Sequence, residues 1–242
     1  MTDKQTKALY IARQLLADGF TLAGAAGVIA NIEAESAFKP TNLQDSYERG
    51  IGMNDEQYTN AVDSGIYTRF AEDSAGYGLA QWTARERKAA MLSFHRKLGM
   101  SIGDFSTQVE FLKTEMKSYS KAYSICRESD DAYTCGWAVC MFYEIPANTK
   151  TAAEHRGGLA QEWYAWLKQQ DTAAEPVEPE TPSYTPPVQT PVGATFPPDP
   201  SVLGIQMIMW YNGYLKEDEV NGYKSQPFFD KLDRFFSDIK KC

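Results

Sequence analysis

A mainly helical fold (mainly α, α+β with one small loop or hairpin region) is what this 242-residue chain predicts, and three observations predict it. Apolar residues recur at helical spacing through most of residues 1–170. Glycines and tyrosines loosen that pattern only between residues 40 and 83. Nine of the twelve prolines then crowd into residues 171–200, a composition that favours extended conformations and cannot form a packed core. The expected organisation is a helical domain at 1–170, a semi-rigid Pro/Glu/Thr-rich linker at 171–200 and a short helical module at 201–242.

The elements follow in order. Residues 3–18 place Leu9, Ile11, Ala12, Leu15 and Leu16 on one helical face, and Gly19 stops the run. Thr21 caps a second helix that reaches about Glu35. From Pro40 to Thr83 the punctuation by Gly50, Gly52, Gly65, Gly76 and Gly78, with Tyr47, Tyr58, Tyr67 and Tyr77 between them, predicts loops with a short helix or a small hairpin. "TARE" at 83–86 reads as a capping box, Thr83 at the N-cap and Glu86 three residues on. The helix it opens carries Ala90, Met91, Phe94 and Leu98 and ends at Gly99. Further helices fit 106–117, 131–143 and 151–168; Trp163, Tyr164 and Trp166 in the last are expected in the core.

Composition removes several function classes. The net charge is −8, divided as −3 over residues 1–170 (18 basic, 21 acidic) and −5 over the remainder (6 basic, 11 acidic). No basic excess of the kind nucleic-acid binding needs is present. The longest apolar stretch, "LAGAAGVIA", has nine residues, where membrane insertion takes about 20. The N-terminus is amphipathic and is not read as a signal peptide. Cys126, Cys135, Cys140 and Cys242 match no metal-ligand spacing; buried free thiols are expected, with a bridge from Cys126 to Cys135 or Cys140 as the alternative. With His95 and His155 the only histidines, no metal centre and no other cofactor is expected.

Two carboxylates interrupt the apolar second helix, in "ANIEAESAFKP" at 30–40. On an ideal helix Glu33 and Glu35 point roughly 160° apart. Glu33 falls near the apolar arc of Leu22, Ala25, Ala26, Ile29 and Ile32, so the helical wheel alone nominates it as the buried acid. Glu35 lies on a strip with Gly24, Gly27, Val28 and Asn31, whose small side chains are expected to leave open space above it.

"ESAFKP" at 35–40 resembles the Glu-Ser-x-Phe-x-Pro signature of the lysozyme-like superfamily, which includes goose-type lysozymes and lytic transglycosylases. "SAGYGLAQWT" at 74–83 is similar to the Gly-x-x-Gln segment that follows it there. Together with "FYEIPAN" at 142–148, these blocks resemble the bacteriophage tail-tip lysozymes, over about residues 8–168. The resemblance implies a lysozyme-like fold and peptidoglycan as substrate. It maps the catalytic acid onto Glu35, against the wheel, and places Glu33 in a polar, solvated last turn.

Those residue types suit the chemistry. Glycoside cleavage needs a carboxylic acid that still holds its proton near neutral pH and gives it to the leaving oxygen. A Glu at the end of an apolar helix, at the wall of a cleft, meets that need. Asp73 is the first candidate for a second carboxylate, to activate water or steady an oxocarbenium ion, with Asp45 and Glu144 as alternatives. Tyr77, Trp82 and Tyr143 are expected to offer flat faces to sugar rings and Gln81 an amide, while Gly76 and Gly78 let the backbone approach the polysaccharide.

The expected activity is hydrolysis of the β-1,4 bonds between N-acetylmuramic acid and N-acetylglucosamine. A lytic transglycosylase using the same acid, or a non-catalytic wall-binding tail component, is the alternative. Residues 201–242 loosely resemble small peptidoglycan-binding repeats, with self-association through that piece as the other reading. The expected location is the host cytoplasm before release to the cell wall, or the virion tail.

Overall fold

The computed structural model describes residues 1–172. The expected linker and C-terminal module lie outside the described residues. The chain divides into two compact units, 1–59 with 69–184 and 60–68 with 185–242; of the second, only 60–68 is described, a helix end and the turn after it.

Helix α1 (Asp3–Ala17) opens with a capping box between Thr2 and Gln5 and buries Ala8, Leu9, Ile11, Ala12 and Leu15. Helix α2 (Leu22–Ser36) starts where Thr21 accepts a hydrogen bond from Gly24 N at 2.9 Å. The 40–83 region holds two short helices, α3 (Asp45–Ile51) and α4 (Asp55–Asp63), followed by two isolated antiparallel bridges, Leu43 to Tyr77 and Tyr77 to Trp82. Helices α5 (Arg85–Leu98), α6 (Phe105–Met116), α7 (Ser120–Glu128), α8 (Ala132–Val139) and α9 (Thr149–Leu167) complete the series. A π-turn, Cys140–Glu144, continues α8. Among the described residues there is no strand, and no helix is long and apolar enough to cross a membrane.

Two local expectations are corrected. Thr83 caps nothing: α5 begins after Ala84, and the Thr83 hydroxyl donates instead to the Gln81 carbonyl (2.8 Å), closing the tight turn in which Gln81 has φ +43°. Helix α7 was not expected at all, since its N-cap, Tyr119, makes no side-chain cap bond and its sequence carries few apolar residues.

The core is a block of α2, α8 and α9 packed directly on one another. Glycines make the close approach. A Cβ at Gly24 would lie 1.9 Å from the Cys126 carbonyl oxygen, one at Gly27 would lie 2.7 Å from the Cys135 backbone, and one at Gly136 would lie 2.5 Å from the Arg156 oxygen. The small-residue strip of α2 is therefore filled by neighbouring main chain, and the open space expected above it is absent.

Gly158 of α9 differs from these, because a Cβ there meets nothing within 4 Å. Gly158→Ala is expected to stabilise the domain by about 0.5–1 kcal/mol through reduced unfolded-chain entropy and better helix propensity. A thermal melt should read this as a rise of about 1–4 °C. Gly157→Ala, whose Cβ would lie 2.7 Å from the Tyr133 ring, should lower the midpoint instead.

Gln108 of α6 ties the loops to this block. It is fully buried; its amide nitrogen donates to the Pro40 and Ile102 carbonyls (2.7 and 2.6 Å), and its oxygen accepts from Leu79 N (2.9 Å). The end of α2 is fixed to the same loop, because the Ser36 hydroxyl donates to the Leu79 carbonyl at 2.9 Å. The segments "ESAFKP" and "SAGYGLAQWT" are thus joined in space by one serine and one glutamine.

Candidate active site

Glu35 occupies the last turn of α2, which stays helical through Ser36 and stops at Ala37, φ +48°. Its half-buried carboxylate forms an ion pair with Arg156 of α9. Arg156 is itself buried and donates a second bond, from Nη1, to Asn31 Oδ1 at 2.9 Å. The Asn31 amide then donates to the carbonyls of Gly27 (2.8 Å) and Gly136 (3.0 Å). One polar chain therefore runs from the backbone of α2 and α8, through Asn31 and Arg156, to Glu35. It engages both terminal nitrogens of the buried guanidinium and holds Glu35 in one position.

Glu33 serves the opposite side of the helix. Its carboxylate pairs with Lys4 and accepts from Trp163 Nε1 at 2.6 Å. With Lys4, Glu162, Trp163 and Trp166 it lines a shallow cavity of about 200 Å³. The turn is thus less solvated than expected for Glu33, and both glutamates are half-buried (side-chain exposures 21 and 17 %). Of the three aromatics expected in the core, Trp163 lies there, edge-on to Phe38, whereas Tyr164 and Trp166 are only partly buried.

The third sequence block supplies a second carboxyl. Glu144 ends the π-turn, and the next residue, Ile145, has φ +51° and is 60 % exposed. The charges of Glu35, Arg87, Arg156 and Glu115 act on Glu144. Arg87 makes two bonds of 2.8 Å to Glu115, which also accepts from Trp82 Nε1 (2.8 Å) and the Tyr143 hydroxyl (2.5 Å). Burial alone would push the Glu115 carboxyl up, but its bonds from Arg87, Tyr143 and Trp82 outweigh this and hold it below the usual range. Burial likewise opposes the charge on Arg87, and the Glu115 bond outweighs it, holding the guanidinium above its ordinary value.

The group thus contains two guanidiniums and three carboxyls, with Arg87 committed to Glu115 and Arg156 to Glu35. Glu144 makes no ion pair with a described residue and is the odd carboxyl of the set. Burial first, and the Glu35 charge second, push it up to about 8 against the opposing pull of Arg87 and Arg156.

The other expected site residues fall elsewhere. Asp73 is buried against Lys88 of α5, which is itself fully buried; Asp73 also accepts from the Tyr58 hydroxyl (2.5 Å) and from Ala75 N (3.0 Å). Burial lowers the Lys88 ammonium, with Asp73 opposing that shift. Asp73 is a fold-holding carboxylate here, and Asp45 is an exposed first residue of α3. Tyr77, Trp82 and Tyr143 are buried, with exposures of 0, 0 and 2 %, so they present no flat face to a sugar. Their polar ends meet protein: Tyr77 bonds Thr59 (2.6 Å), and Trp82 and Tyr143 bond Glu115.

Gln81 is half-buried, and its amide donates to the Asn42 and Gly78 carbonyls (2.9 and 3.2 Å). Gly76 and Gly78 make room for the Gln81 and Gln108 side chains (2.7 Å from each would-be Cβ), not for a polysaccharide. Cys126, Cys135 and Cys140 are free and buried, as expected.

Sequence reasoning missed Arg156, Arg87 and Glu115. Asn31 carried a usable signal, a polar residue on the small-residue strip of a helix apolar nearly all round. The two arginines and Glu115 carried none, since each partner is 28 or more residues away.

A family model described as phage tail lysozyme matches residues 6–167, about two thirds of the chain. No curated protein matches it.

Proposed function

The chain belongs to the phage tail lysozyme family, and from that premise we propose that it cuts the β-1,4 bonds between N-acetylmuramic acid and N-acetylglucosamine of bacterial peptidoglycan, with Glu35 as the general acid. The observation that carries this reading is the setting of Glu35. It stands in the last turn of a buried helix, held in one position by Arg156, which is itself bonded to Asn31. In its protonated form this carboxyl can give its proton to the leaving oxygen as the glycosidic bond breaks, and the fixed geometry removes the cost of finding that position.

We read the reaction as hydrolysis, in which water ends on the anomeric carbon. Asp73 takes no part in it, because its oxygens are committed to Lys88, Tyr58 and Ala75. The place of action is the cell wall, reached from the virion tail or from the host cytoplasm on release. Residues 201–242 would add wall affinity by raising the local concentration of the enzyme at an insoluble substrate.

Mass spectrometry of digested, purified peptidoglycan tests this reading. Muropeptides with reducing muramic acid ends are the expected products. Predominantly 1,6-anhydro ends, lighter by one water, would overturn hydrolysis in favour of transglycosylation. An absence of new ends from well-folded protein would overturn glycosidase activity altogether.

A further inference from the structure

We propose that the cavity lined by α1, α2 and α9 is a second glycan-binding subsite, on the other side of α2 from Glu35, and that it takes one N-acetylated amino-sugar ring with Trp166 as its flat face. This rests on the reading of the chain as a peptidoglycan glycosidase and adds a second point of contact with that substrate.

Three helices build the cavity. Lys4 comes from α1, Glu33 from α2, and Glu162, Trp163 and Trp166 from α9. Residues three and four apart share a helix face, which sets Trp163 and Glu162 beside Trp166. The volume of about 200 Å³ is below the roughly 300–1,000 Å³ of sites for drug-sized ligands. It suits a single ring of a chain whose neighbouring rings stay in solvent.

The indole walls are held before a ligand arrives. Trp163 is 8 % exposed, donates from Nε1 to Glu33 at 2.6 Å and packs edge-on to Phe38 with ring centres 5.7 Å apart. Trp166 stands at 85° to Trp163, ring centres 5.5 Å apart, and remains partly exposed at the cavity. A site built in advance loses little entropy on binding. Tyr77, Trp82 and Tyr143, the aromatics expected to meet sugar, are buried and leave that role open.

The polar groups match a neutral ligand rich in hydroxyls. Lys4 pairs with Glu33, and its ammonium lies 5.4 Å from the centre of the Trp163 ring. Glu162 is exposed and makes no ion pair with a described residue. Sugar hydroxyls donate to carboxylates and accept from an ammonium, while the C–H face of the ring lies on an indole. One cation, two carboxylates and two indoles supply all three contacts. Set apart from the acid, the subsite holds a glycan strand beside the one being cut and keeps the enzyme on an insoluble substrate.

The test uses the chain in its Glu35→Gln form, so that nothing is cut during binding. Titration with a soluble oligomer of N-acetylglucosamine should shift the indole N–H resonances of Trp163 and Trp166 saturably. Adding Trp166→Ala should weaken co-sedimentation with insoluble peptidoglycan by roughly 2–10-fold, the range of an aromatic contact. Should that variant fail to fold, Glu162→Gln, a change at an exposed position, takes its place and should weaken co-sedimentation as well.

Indole resonances that stay in place at high oligomer concentration, or undiminished co-sedimentation of the folded variants, overturn the subsite and leave the glycosidase reading standing. Shifts caused by ethylammonium and not by the oligomer overturn the sugar assignment in favour of an ammonium ligand. Saturable indole shifts in a chain whose wild type releases no new glycan ends support the subsite and overturn the glycosidase reading instead.

Discussion

Glu35→Gln is expected to fold normally and to lose peptidoglycan cleavage by a factor of at least 10²–10⁴, the span typical of general acid catalysis. Gln keeps the shape of Glu and an oxygen that can accept from Arg156, so the chain Gly136–Asn31–Arg156 survives. What it lacks is a proton to give to the leaving oxygen. Glu33→Gln is the internal contrast. Its site lies on the other side of α2, against Lys4 and Trp163, and Gln can still accept from the Trp163 indole. Most activity should remain. Turbidity clearance of cell walls, with circular dichroism to confirm folding, reads both variants. The reverse pattern would assign the acid to Glu33, as the helical wheel does.

Lys88→Met should destabilise the domain by about 3–5 kcal/mol, because it strands the buried Asp73 carboxylate without its counter-charge. For a domain of this size that is a fall in melting midpoint of roughly 6–20 °C. Lys88 is fully buried, donates to the Ala75 carbonyl (2.7 Å) as well as to Asp73, and lies 4.5 Å from the centre of the Phe70 ring. Asp73→Asn should cost less, since the amide still accepts from Tyr58. The double variant Lys88→Met/Asp73→Asn should regain part of the loss, and urea denaturation of all three measures it. Specific activity per folded molecule should be unchanged in Asp73→Asn. A large drop there, at full folding, would restore Asp73 to the reaction.

Much of the helical frame was legible because periodicity and caps are local. Thr21, Gly19 and Gly99 mark their helix ends in the sequence as they do in the structure. The choice of Glu35 over Glu33 as the proposed acid comes from the resemblance alone. The helical wheel requires one exposed face to discriminate, and α2 is buried nearly all round, so Glu33 and Glu35 differ little in exposure. The aromatics went astray for a different reason. Nothing local tells a tryptophan that meets sugar from one whose indole bonds Glu115, 33 residues on. The same holds for Asp73, whose partner lies 15 residues away, past a tight turn.

The glycine seams also have a mechanical meaning. Where Gly24, Gly27 and Gly136 rest on the main chain of neighbouring helices, no rotamer stands between one backbone and the next. A wall of long side chains yields to a perturbation by rotating bonds; a wall of backbone on backbone passes the displacement on as rigid motion. Glu35 rides on α2 and its partner Arg156 on α9, so the placing of this ion pair follows the thickness of the seams. The site is stiff for the same reason that it is intolerant. A single methyl group added at Gly27 would act as a shim under the helix that carries Glu35.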